Sequence, residues 1–237
     1  MEQIIKMNTI ISQFLFESAP KNPNDIVLKN EYYPSRLLES EIYYYYIRNK
    51  SKLLNWIGNR RVSFFISLDD NLLVVKRKIN ERDIKLTTSN YDEIISGRTL
   101  CILVEHPSIS NYIVIDIDAG RNITSEDTNK AIKVAQKLLI SLNFSHWEKL
   151  TTSKVGRHLI GYLDHKINTI VLKEEVEKLL NKQSDYLVNK KGKLPNTINY
   201  DLSSNYLRGL HLARYSLNKQ GLICDDLSSS KAGLPIK

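Results

Sequence analysis

The seven residues Tyr112-Ile-Val-Ile-Asp-Ile-Asp118 restrict this chain more than any other stretch. β-Branched residues at alternate positions favour a strand, and on a strand side chains two apart share a face. Ile113, Ile115 and Ile117 are therefore expected to enter a core, while Asp116 and Asp118 point the other way. Two carboxylates side by side in an apolar strand repel each other and lose solvation. A divalent cation relieves both, and a pair of such ions is the usual arrangement for in-line phosphoryl transfer. The plainer reading is a strand that runs into a loop at Ala119-Gly120. Two ions need more oxygen ligands than two side chains supply, so a third acid is expected. Asp201 closes another apolar run, Thr197-Ile-Asn-Tyr-Asp201, and leads; Glu148 and Asp164 are rivals that spacing alone does not separate.

Around this strand the pattern mixes helices and strands without strict alternation, which points to an α+β fold. Ile4, Met7, Ile11 and Phe14 recur at three and four, as on a helix within residues 1–20. Lys21 to Pro34 reads as a connection. Ser40 is placed to cap a helix to about Ile57, with Ile42, Tyr46, Leu53 and Ile57 inward. Arg61 to Leu68 and Leu72 to Lys78 form a hairpin across Asp69-Asp70-Asn71. That second strand ends in Lys76, Arg77 and Lys78, read equally as a solvated end or a phosphate contact. Further strands are expected at Thr99 to Glu105, Trp147 to Thr152, His158 to Leu163 and His211 to Leu217. Helices are expected at Ser125 to Leu142, capped by Ser125, and near Val171 to Leu180, followed by a Lys-rich loop from Asn181 to Pro195.

A chain of 237 residues with 42% hydrophobic and 25% charged residues can bury a substantial core, as one large domain or two packed lobes. Its formal charge of +8 favours a polyanionic partner, because each Lys or Arg set on a phosphate releases condensed counterions. The two cysteines, Cys101 and Cys224, build neither a disulfide framework nor a Cys-rich zinc site. The first twenty residues lack a basic leader before an unbroken apolar stretch, and no run reaches membrane-spanning length. A cytoplasmic protein without membrane partners is the expectation.

A second chemical signal is Thr151-Thr-Ser-Lys-Val-Gly-Arg-His158, between two expected strands. Hydroxyls, a glycine that allows close backbone approach, and Lys154, Arg157 and His158 suit a triphosphate. Taken singly, His158 reads as a packed or capping histidine. Arg214 and Ser216 are expected on one face of the last strand, where an exposed ladder is the default.

These segments, in this order, resemble the archaeo-eukaryotic primase superfamily, and most closely the polymerase domain of bacterial and archaeal end-joining DNA ligases. The resemblance spans roughly Asn22 to Leu227. The family's Asp-x-Asp strand is similar to Ile115-Asp-Ile-Asp118, and its Val-x-His-Pro segment to Val104-Glu-His-Pro107. Its Thr-Ser-Gly-x-x-Gly-x-His turn is similar to Thr151 through His158. Its Asp-x-x-x-Asn ahead of Tyr-Ser resembles Asp201 and Asn205 before Tyr215-Ser216. Tyr33-Pro34, a helix with paired tyrosines, and Asn59-Arg-Arg-Val62 resemble its front end. The departures are these: the turn's lysine falls on Val155, the arginines after Tyr-Ser become Asn218 and Gln220, and Arg214 replaces a proline. Near the start, Ile26 takes one expected lysine position and Lys29 lies nearby.

The resemblance implies a primase-polymerase fold, with an RNA-recognition-motif-like catalytic sheet packed against a second mixed α/β lobe. It implies two Mg²⁺ or Mn²⁺ ions on Asp116, Asp118 and Asp201. A nucleoside triphosphate would meet Thr152, Ser153, Lys154, Gly156, Arg157, His158, Arg214 and Ser216, with His106 near the nucleotide or primer end. Lys29, Lys76 and Lys78 would face nucleic acid. The implied activity is template-directed nucleotidyl transfer that extends or fills DNA ends in repair, with a separate ligase or primase subunit as an expected partner. One alternative is de novo priming, since Tyr215 to Leu222 also resembles an ending found in replicative and plasmid-encoded primases, although their Cys/His zinc motif is missing here. A non-catalytic DNA-binding module is another. A two-metal nuclease fits less well, because Glu148-Lys149 lacks the Glu-x-Lys spacing common in such enzymes.

Overall fold

Ile and Asp alternating along one strand require a sheet with one packed side, and the packing partners follow from the elements around it. In the computed structural model, residues 26–29, 39–68, 72–76, 78–79, 82–151, 155–190, 195–206 and 209–217 are described. Among them the chain divides into two compact units, one up to Val104 and again from Leu212, the other from Glu105 to His211. The expected helix within residues 1–20 lies outside the described residues.

The first unit begins with β1 (Ile26–Lys29), α1 (Glu39–Ile57), β2 (Arg61–Leu68) and β3 (Leu72–Lys76). It continues with β4 (Lys78–Ile79), β5 (Arg82–Lys85), the single turn α2 (Tyr91–Ile94) and β6 (Thr99–Glu105). α1 buries Ile42, Tyr45, Tyr46, Leu53 and Ile57, the one-sided stripe that its sequence predicts. β2 pairs antiparallel with β3, Leu68 opposite Leu72, so the hairpin is as expected. β5 and β6 are also antiparallel partners of β2, which buries Ser63 and Phe65 as well as Val62, Phe64 and Ile66. Two short strands depart from the sequence reading. Ile26–Lys29 is no connection but pairs with β3, and Lys78 opens a hairpin with β5 instead of closing β3.

The second unit holds β7 (Ile109–Ala119), α3 (Ser125–Leu139), β8 (His146–Thr151), β9 (Arg157–Asn168) and α4 (Thr169–Gln183). Then come β10 (Leu187–Val188), β11 (Ile198–Asp201) and the start of β12 (Leu210–Leu212). Its strands are ordered β10-β11-β7-β9-β8. Counting β7, β8, β9 and β11 as first to fourth, the order across the sheet is fourth, first, third, second. That is a β-α-β-β-α-β unit with two helical crossovers, the arrangement of the RNA-recognition-motif-like sheet expected above. Ile113, Ile115 and Ile117 of β7 and Leu159 and Leu163 of β9 pack with Ala131, Ile132, Ala135 and Leu139 of α3 and Leu172, Val176 and Leu180 of α4. Gly161 makes room here: a Cβ on it would stand 2.7 Å from the Trp147 ring and 2.9 Å from Phe144.

The N-cap of α3 is Thr124, not Ser125. Its hydroxyl accepts from the Asp127 N–H, and the Asp127 carboxylate accepts from the Thr124 N–H in return. The helix ends at Leu139, and Ile140–Leu142 forms a tighter 3-10 turn that stops at left-handed Asn143. Within the stretch read as a loop from Asn181 to Pro195, Leu187 and Val188 pair parallel with Asn199 and Tyr200.

Candidate active site

The face of this sheet away from α3 and α4 carries the acids. Asp116 lies directly opposite Asp201 on β11 and opposite His158 on β9, so the three form one row across three strands. Cα atoms opposite each other in an antiparallel pair stand about 4.5–5.5 Å apart. Asp118 is two residues along β7 on the same face, roughly 6.5–7 Å from Asp116, with Asn199 opposite it. Pairing thus separates the three candidates for a third acid. Asp201 adjoins Asp116. Glu148, on β8, is opposite Ile160 of β9, one strand beyond His158, and Asp164 is an exposed partner of His165 at 2.7 Å.

Asp201 is held from both sides. Asn189, in left-handed conformation with φ 51°, donates its N–H to the Tyr200 carbonyl and accepts from the Leu202 N–H at 2.8 Å. β11 ends at Asp201, and beyond it the fully buried Asn205 side chain takes over the edge of β7. Its Oδ1 accepts from the Val114 N–H at 2.8 Å, and its Nδ2 donates to the Val114 carbonyl at 2.5 Å and the Leu202 carbonyl at 3.1 Å. One side-chain amide thereby replaces a strand residue, which explains the four-residue spacing from Asp201 to Asn205. The Asp201 carboxylate itself accepts from the Ser203 N–H at 2.7 Å. Sequence reasoning missed Asn189. Its one signal is asparagine's tolerance of the left-handed region within a polar stretch.

His158 is buried, and its Nε2 stands 3.4 Å from the Asp116 carboxylate. Its Nδ1 is buried without a hydrogen-bond partner among the described residues. Thr152, Ser153 and Lys154 lie outside the described residues. Gly156 is buried, and its carbonyl accepts from the Arg157 guanidinium at 2.8 Å. Arg157 is opposite Ile117 and therefore leaves the sheet on the side away from His158, so the two do not meet the acids together. Burial pulls its guanidinium below the ordinary arginine range.

Three further expected ligands are His106, Arg214 and Ser216. His106 is buried in a ring cluster, 4.6 Å from Tyr112 and 5.6 Å from His211 between centroids. Tyr112 precedes Asp116 on β7 by four residues, about 13 Å along a strand. Arg214 and Ser216 belong to the first unit and do not share a strand face, because β12 ends at Leu212 and Tyr215 turns the chain at φ 62°. Ser216 is fully buried. Its hydroxyl accepts from the Ile102 N–H at 2.7 Å and lies 3.2 Å from the Tyr46 hydroxyl, which also donates to the Leu100 carbonyl. This serine ties α1 to β6. Lys29 and Lys76 end β1 and β3, and Lys78 begins β4.

Three carboxylates on one face are a hard, oxygen-only donor set of the kind Mg²⁺ and Mn²⁺ take. Among the described residues no three His, Cys, Asp or Glu side chains stand grouped to hold an ion. The strand register nonetheless sets Asp116, Asp118 and Asp201 on neighbouring positions of one sheet face. No described helix is long and apolar enough to cross a membrane.

No protein-family model matches this sequence, and no match was found among curated proteins. Among solved structures, the polymerase domain from Mycobacterium tuberculosis Ligase D in complex with DNA aligns with a TM-score of 0.66 and 17% identity, over 79% of each chain. At that identity the likeness speaks to the fold. The chain has the α+β primase-polymerase fold that its motifs led one to expect, the fold of an end-joining ligase's polymerase domain.

Proposed function

We propose that this chain is a metal-dependent, template-directed nucleotidyltransferase that extends or fills DNA ends, of the end-joining repair type. The observation that carries the reading is the row Asp201, Asp116 and His158, with Asp118 beside it, on one face of a polymerase-like sheet. Like-charged side chains gathered there destabilise the fold unless they serve a cation. Asp116, Asp118 and Asp201 would hold Mg²⁺ or Mn²⁺, whose chemistry is to neutralise the triphosphate and lower the pKa of the attacking 3′-hydroxyl. Asn189 and Asn205 hold the Asp201 backbone so that its carboxylate stays opposite Asp116. His158, whose Nε2 stands 3.4 Å from the Asp116 carboxylate, lies in the same row and would help to set the triphosphate against the acids. Gly156 directly precedes β9, and Thr152, Ser153 and Lys154, just ahead of it in sequence, would meet the triphosphate with it. DNA primer-templates or ends and nucleoside triphosphates are the matching partners; the structural neighbour is in complex with DNA.

Primer extension on gapped and single-stranded templates, with Mg²⁺ or Mn²⁺ and with each sugar type, tests the reading. Incorporation is expected with wild type and lost in Asp116→Ala, with DNA binding kept. Equal incorporation by that variant rejects the assignment. A second reading, a non-catalytic DNA-binding module, requires DNA binding with no incorporation under any metal. Products formed without a primer would make the chain a primase, as the Tyr215 to Leu222 segment suggests.

A further inference from the structure

The exposed side of α1 carries Arg48 and Lys52. Four residues apart, they are neighbours on the helix surface, and like charges in that relation work against the helix. Neither forms an ion pair among the described residues, and Lys52 lies instead against an aromatic ring. The bases nearby are matched differently: Lys50 meets Asp92 at 2.7 Å and Arg98 meets Glu39 at 2.7 Å. Arg48 and Lys52 are therefore the cations of this surface that no described acid answers.

A third cation comes from the turn after β12. Tyr215 sits at φ 62°, a region that a bulky side chain enters only at a cost, and such strain clusters where a side chain must be aimed. The Tyr45 hydroxyl donates to the Tyr215 carbonyl at 3.1 Å and fixes the turn against α1. Tyr45, Arg48 and Lys52, spaced three and four, share that flank of the helix. The Tyr215 ring then has Lys52 Nζ 5.7 Å and the Arg214 guanidinium carbon 5.0 Å from its centroid. Cation–π contact holds two long, mobile side chains on one ring.

We infer that Arg48, Lys52, Arg214 and Tyr215 form a contact surface for the sugar–phosphate backbone of DNA. Positive groups drawn to one patch by a strained turn suit a polyanion with phosphates at regular intervals, and the chain's net charge of +8 favours such a partner. The ring offers a flat, sequence-indifferent surface for a sugar or an unpaired base. The inference rests on DNA being the substrate, as proposed above, but concerns affinity and not turnover.

The test is fluorescence anisotropy of the full chain on a labelled gapped duplex across a KCl series. The Arg48→Ala/Lys52→Ala double variant should bind roughly tenfold more weakly at low salt. Its plot of log affinity against log salt should be shallower by about 1.8, at about 0.9 for each phosphate that is no longer neutralised. Lys52→Glu, which also removes two units of positive charge, should weaken binding to a similar degree, and Lys50→Ala should leave the slope unchanged. An affinity within twofold of wild type and an unchanged slope for the double variant overturn the inference. So does a variant that loses affinity for a free nucleoside triphosphate while keeping its affinity for DNA. If wild type binds DNA through this patch yet never incorporates nucleotides, the enzymatic reading fails and the surface stands. If Asp116→Ala abolishes incorporation while the double variant binds normally, only the surface is lost.

Discussion

Ile115 and Asp116 are chain neighbours on opposite faces of β7, and they face opposite demands. Ile115 is fully buried among apolar residues of α3, α4 and β9, where close packing makes every methylene count. Asp116 is a third exposed and stands in a row of groups that do not stabilise one another by burial. One face of the sheet is made for stability and the other accepts electrostatic strain. Substitutions at the two positions should therefore separate activity from folding.

The largest effect is expected on the acid face. Asp116→Asn keeps the shape and removes the charge, so nucleotide incorporation should fall about a thousand-fold or more, several kcal/mol of lost transition-state stabilisation. Denaturant unfolding should shift by less than about 1 kcal/mol, since a polar contact of a partly exposed carboxylate contributes little. A large loss of stability in this variant would mean that the acid face is structural. Ile115→Ala inverts the pattern: an unfolding free energy lower by about 2–5 kcal/mol, with incorporation by the folded fraction largely kept. Activity lost at full stability would erase the contrast between the faces.

Asn205 stands between these regimes, because a buried polar side chain serves the acid face. Asn205→Ala leaves the Val114 N–H and carbonyl without their partner, at a cost of about 1–3 kcal/mol. It also frees the turn after Asp201, so incorporation should drop at temperatures where the variant remains folded by circular dichroism. A variant that loses stability yet keeps wild-type turnover would confine Asn205 to the packed regime.

The same contrast explains what was legible in the sequence. Alternating Ile and Asp show both faces of β7 at once, because a strand's period of two leaves no other assignment. The long elements α1, β2, β7, α3, β9 and α4 carry enough apolar positions to declare their period. β1, β4 and β10 are two to four residues long and show none, so their pairing depends on neighbours far away in sequence. Asn205 reaches a strand residue 91 positions away, a relation with no local trace beyond its spacing from Asp201. Arg214 and Ser216 were misplaced on one strand face because nothing about a tyrosine at position 215 announces a left-handed turn. The three acids and His158 were legible as residues; that Arg157 departs on the other side follows only once the strand is known to begin there.

The smallest effect concerns the cap of α3, the helix that covers the packed face. The Thr124 hydroxyl and N–H both donate to the Asp127 carboxylate and hold its pKa below the ordinary value. A carboxyl group whose pKa is lower in the folded chain than in the unfolded one stabilises the fold at pH values above the unfolded value, about 3.9. That contribution is lost as the pH falls through the lowered folded value. Asp127→Asn should therefore be slightly less stable than wild type at pH 6, and the difference should vanish toward pH 2. Thr124→Ala should lower the unfolding free energy by about 1 kcal/mol at neutral pH. Nucleotide incorporation at pH 7 should be unchanged in both, because the cap sits under the packed side and touches none of the acids. A pH-independent difference would show that the carboxylate's charge does not contribute. A loss of incorporation would show that the two faces of the sheet are coupled through the helix.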